Sequence, residues 1–96
     1  MNLVTILNQR KIKQIAAENK YLLFDAAIKN DLSALNKYRQ ALRSNGAEYV
    51  KINIHKQDRL IYVSFKAENI LYNPVFYWNK FRPSDITLKE WRQNKC

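Results

Sequence analysis

Apolar side chains recur at helical intervals through the first half of the chain and at alternate positions after it. Leu3, Ile6, Leu7, Ile12, Ile15 and Ala16 follow one another at spacings of three and four, with some gaps, so an amphipathic helix is predicted over residues 3–18. NKYLLFDAAIKN, residues 19–30, then gathers apolar residues into about three turns. Asn19 and Asn30 punctuate it, because asparagine competes with the helix for its own backbone hydrogen bonds. A short, more buried second helix is expected there, separate from the first or fused with it. Asp31 suits an N-cap, since its carboxylate can accept from the free amides of a first turn. Leu32, Leu35, Tyr38 and Leu42 then share one side of a third helix, over about 31–45. Gly46, the chain's only glycine, offers the left-handed conformation that ends one.

Past Gly46 the period becomes two. In EYVKINI, Val50, Ile52 and Ile54 alternate with polar residues, and in RLIYVSF, Ile61, Val63 and Phe65 do the same. Joining these strands through HKQD as a four-residue loop sets Ile52 opposite Ile61 and Val50 opposite Val63. ILYNPVFYWNKFRPSD, residues 70–85, is dense in aromatics and interrupted by Pro74 and Pro83, which argues against long regular elements. SDITLKEWRQ reads as a capped terminal helix from about Ser84 to Gln93, packing through Ile86 or Thr87, Leu88 and Trp91. The expected fold class is α+β: a three-helix N-terminal half, an antiparallel hairpin, and an aromatic C-terminal segment ending in a short helix.

Ninety-six residues suit one domain, 1–96, with a modest core. The chain carries 17 Lys and Arg against 8 Asp and Glu, a formal charge of +9. Such an excess is self-repelling unless an anionic partner offsets it, and nucleic acid is the commonest one. It is no detachable tail: residues 1–45 hold eight basic and three acidic side chains, and residues 46–96 hold nine and five. Cys96 stands alone, with no partner for an internal disulfide and too few companions for zinc. The apolar-rich start places its charges after the apolar run, the wrong order for secretion, and no run is long enough to span a bilayer. A cytoplasmic, soluble protein without cofactor, metal or membrane partner is expected. Abundant Asn, Lys and Ile with almost no Gly suggest an AT-rich coding sequence of phage or mobile-element origin.

Three helices, then a hairpin entered through a glycine in YRQALRSNGAEYVKI, resemble winged-helix DNA-binding domains over roughly residues 3–66. The resemblance is one of architecture, without a residue-by-residue motif, and it implies a recognition helix at 31–45 and a wing at 48–65. Opposite the third helix's apolar stripe lie Asn36, Lys37 and Gln40, with Arg43 flanking. Asparagine and glutamine amides can pair with adenine, arginine with guanine and lysine with phosphate. Asn36, Gln40 and Arg43 are therefore the base-facing candidates, while Lys51, Lys56 and Arg59 on the hairpin suit phosphates. Tyr49, beside Lys51, and Tyr62 could stack on single-stranded bases if the hairpin formed an open sheet face, but they can equally pack under another helix, and packing is the role expected of Tyr62. Tyr77, Trp78, Lys80 and Arg82 interleave rings with cations as stacking or interface candidates, although most aromatics in so small a domain close the core.

The leading expectation is a nucleic-acid-binding module, DNA first, acting by occupancy and without catalysis; oligomeric state is open, and the aromatic segment could supply a dimer interface. The alternative is a protein-binding inhibitor or adaptor, directed at an acidic or nucleic-acid-binding surface of a host enzyme. A metal-independent ribonuclease using His55, Lys56, Asp58 and Arg59 is a minor third reading.

Overall fold

The computed structural model describes residues 3–79 and 85–95. Its elements are α1 (Leu3–Glu18), α2 (Lys20–Ile28), α3 (Leu32–Arg43), β1 (Glu48–His55), β2 (Leu60–Ala67), β3 (Ile70–Tyr77) and β4 (Thr87–Lys95). The strands form one antiparallel meander in the order β1-β2-β3-β4.

This is α+β, but not the arrangement expected from the sequence. First, α1 and α2 run on through Asn19 as one bent helix in place of two separate ones. Asn19 keeps the backbone bond to the Ile15 carbonyl (3.2 Å) while its side-chain amide donates to the same oxygen (2.9 Å). That competition bends the helix at one residue without ending it.

The second helix of the fold, α3, has the ends its sequence suggests. Asp31 accepts from the amides of Ser33 (2.9 Å) and Ala34 (3.2 Å), a cap of about 1 kcal/mol. At the far end Gly46 has φ +95°, its amide donates to Arg43 and that of Ala47 donates to Leu42. This pair of bonds closes the helix and turns Ala47 into the core beside Leu42.

The second correction concerns the C-terminal third. The hairpin is half of a four-stranded sheet and does not stand free as a wing, and residues 87–95 are strand β4 where a terminal helix was expected. A β-bulge explains the misleading pattern. Val75 pairs with Glu90 but Phe76 pairs with Leu88, so Lys89 is an extra residue. Leu88 and Trp91 therefore reach the same face three positions apart, a spacing that imitates a helix. Pro74 is accommodated inside β3 because the β2–β3 pairs skip from Tyr62↔Val75 to Phe65↔Tyr72, leaving its stretch of ladder unpaired on that side. The predicted cap Ser84 lies outside the described residues.

The hairpin register also slides. His55 pairs with Leu60, Ile54 with Ile61 and Ile52 with Val63. The turn is Lys56–Arg59, because Arg59 takes a left-handed conformation (φ 56°) and its amide bonds back to the Lys56 carbonyl (3.3 Å). The shift preserves which residues share a face, so Val50, Ile52 and Ile54 still point inward.

The helices cover that inner face. Ile12 and Ala16 of α1, Leu23, Phe24 and Ala27 of α2, and Tyr38 and Leu42 of α3 join Ile61, Val63, Phe65, Tyr72 and Phe76 of the sheet in one core. Tyr38 ties the helices together, donating its buried hydroxyl to the Ala16 carbonyl at 2.9 Å. Burial pushes the Tyr38 phenol well above its ordinary value of 10.0. Because the folded value is the higher one, its contribution is complete below about pH 10 and is lost as pH rises toward the folded value. Thermal midpoints are expected to hold to that pH and then fall. Tyr38→Phe should cost about 1 kcal/mol at neutral pH and flatten the alkaline decline, as a pH series of melting curves would show.

Candidate nucleic-acid interface

With the helices on one side, the period of two leaves the other side of the sheet to polar residues. Among the described residues no element covers this outer face. Cross-strand pairs build it row by row: Asn53, Tyr62, Val75 and Glu90 form one row, and Lys51 beside Ser64 with Asn73 beside Arg92 form the next. Lys51, Asn53, Tyr62, Ser64, Asn73, Arg92 and Asn94 line a groove of about 440 Å³ on this face.

Tyr62 stands near the middle, 41% exposed, with the His55 ring edge-to-face at 4.9 Å. Tyr77 lies diagonally from it on β3 and carries the Arg59 guanidinium 5.4 Å from its ring. Glu90 bonds Arg92 at 2.9 Å. That hydrogen bond and the carboxylate charge hold the guanidinium above its ordinary value, with a smaller contribution from Tyr62, so Arg92 is a permanent cation beside the phenol. Tyr49 is 73% exposed and sits at the β1 bulge with φ 55°, a strained conformation for a bulky side chain.

No family model, curated protein or solved structure matches the chain. What the site can do therefore follows from its own residues.

The structure divides the residues singled out from the sequence. Asn36, Lys37, Gln40 and Arg43 are exposed together on α3, on the helical side of the domain and away from the sheet's outer face. Their polar groups are partly used along the helix: Asn36 accepts from Arg39 (3.3 Å) and Gln40 donates to Ser44 (3.5 Å). Lys51 and Tyr77 belong to the outer face, with Tyr49 at its β1 edge. Lys56 and Arg59 are at its end, in the β1–β2 turn, where Lys56 donates to Asn30. Trp78 is 2% exposed and belongs to the core. Lys80 and Arg82 lie outside the described residues.

Asn73, Arg92 and Asn94 are not among the residues selected from the sequence, because the pattern puts Asn73 in irregular chain, Arg92 within a terminal helix and Asn94 just past its end. Asn73 is the one strongly polar residue in ILYNPVFY, so no alternation of polar and apolar positions marks the outer side of β3. Of the four nuclease candidates, Lys56 and Arg59 share a cavity with Trp78 that His55 and Asp58 do not line. Among the described residues no helix is long and apolar enough to cross a membrane, and no group of three or more His, Cys, Asp or Glu side chains is gathered.

Proposed function

We propose that the protein is a small nucleic-acid-binding module that works by occupancy and binds through the outer face of its sheet. One observation carries the reading: a four-stranded face that no described element covers presents a half-exposed tyrosine, an arginine–tyrosine cation–π pair, and the polar side chains of Ser64 and Asn73 between Lys51 on one edge strand and Arg92 on the other. The face itself is only mildly basic, since Glu48 and Glu90 offset part of Lys51, Lys66 and Arg92. Long-range attraction comes from the +9 charge of the whole chain, and the face supplies the planar and hydrogen-bonding groups. A cytoplasmic location belongs to the same proposal, supported by the single cysteine.

The test is fluorescence anisotropy against labelled oligonucleotides across a salt series. Submicromolar binding near physiological salt, with log affinity falling steeply on log salt, is expected. Weak binding to every oligonucleotide, vanishing by moderate salt, would refute the reading.

A protein-binding role is the second reading, favoured by a different surface. Ile28 and Leu32 flank the α2–α3 turn and are 42% and 73% exposed. Ile28 also lines the cavity shared by Lys56 and Arg59. An apolar patch edged by cations suits an acidic protein surface, and capture of a protein partner that survives changes to the sheet face would support it.

A further inference from the structure

We infer that the outer face takes single-stranded nucleic acid, with its bases unstacked, and discriminates against duplex. The inference rests on the nucleic-acid reading and adds the class of ligand.

Tyr62 and the Arg59–Tyr77 pair are two planar stations on neighbouring strands. Tyr62 pairs with Val75 and Leu60 pairs with Tyr77, so the two tyrosines are diagonal neighbours, about 7–8 Å apart by sheet geometry. Bases stacked in a helix follow one another at about 3.4 Å along a strand. Adjacent bases can reach both stations only when the strand is drawn out and its bases separated. In a duplex both faces of each base are already covered by neighbours, and a tyrosine lying on a sheet cannot stack without extruding one.

The amides agree with this. Asn53 and Asn73 line the groove, and among the described residues their side chains make no hydrogen bond, so both can pair with the exposed edges of unpaired bases. Asn36 and Gln40 on α3 would first have to give up bonds along the helix. Lys51 and Arg92 stand on the two outermost strands of one row, about 14 Å apart by strand spacing. That row lies next to the row of Tyr62 and two from that of Tyr77, so the two cations would hold phosphates that flank a base stacked on Tyr62.

The experiment compares wild type, Tyr62→Ala and Tyr62→Phe by anisotropy with single-stranded RNA, single-stranded DNA and a DNA duplex, each about ten nucleotides or base pairs long. Tyr62 is exposed enough for either variant to fold, which thermal melts would verify. Expected are at least tenfold tighter binding of one or both single strands than of duplex, and a loss of about tenfold for single strands in Tyr62→Ala. The salt slope should not change, because no phosphate contact is removed, and Tyr62→Phe should bind like wild type. Tighter binding of RNA than DNA would identify a contact to the 2′-hydroxyl and supports the inference equally. Duplex bound as well as single strands, or no effect of Tyr62→Ala, would overturn the inference while leaving nucleic-acid binding in place. Absence of binding to all three would overturn both.

Discussion

Trp78→Ala is expected to destabilise the protein by about 3–5 kcal/mol, the range for emptying a large buried aromatic site. Trp78 is the largest of the fully buried side chains, at 2% exposure, and belongs to the core, where it lines a cavity with Ala27 and Ile28 of α2. Its backbone amide also donates to the Arg59 carbonyl at 3.2 Å, which ties the exit of β3 to the β1–β2 turn. A domain of this size has about 5–15 kcal/mol in total, so the variant should melt tens of degrees lower or be partly unfolded. Circular dichroism melts decide the point. A shift of a few degrees would mean that the ring lies at the surface, where the sequence had made it an interface candidate, and would contradict the core described here.

Charge reversal separates the two faces that carry the sequence-predicted binding residues. Lys51→Glu with Arg92→Glu removes two cations from opposite edges of the sheet face and should weaken oligonucleotide binding about 100-fold at low salt, from roughly a tenfold loss per charged contact. Lys37→Glu with Arg43→Glu changes net charge by the same amount on the exposed side of α3. It should cost only the long-range attraction, about threefold, and even that should fade as salt rises. All four positions are exposed, so folding is not at issue. The matched change in net charge makes the comparison one of location, and the reverse ranking would return the site to α3.

The sequence is legible where several local rules agree. Asp31, the stripe from Leu32 to Leu42 and Gly46 define α3 because cap, period and stop signal agree. The alternation in β1 and β2 likewise identifies their inner residues, although the register slipped because nothing in HKQDR marks Arg59 as the left-handed turn residue. Legibility fails where tertiary structure overrides the local pattern. The β2–β3 turn is Glu68–Asn69, both with positive φ and neither a glycine, so the hairpin carries none of its strongest signals. Pro74 and the Lys89 bulge then disguise β3 and β4, whose strand character depends on pairing with each other. With those strands hidden, Asn73, Arg92 and Asn94 had no surface to share with Lys51, and half of the outer face went unread.

An amide chemical-shift titration of the labelled protein with a single-stranded oligonucleotide tests most directly whether the sheet face binds. The largest changes should fall on β1 through β4 at Lys51, Asn53, Tyr62, Ser64, Asn73 and Arg92, with α3 unaffected. Changes concentrated on Asn36, Lys37, Gln40 and Arg43, with the sheet unmoved, would contradict it.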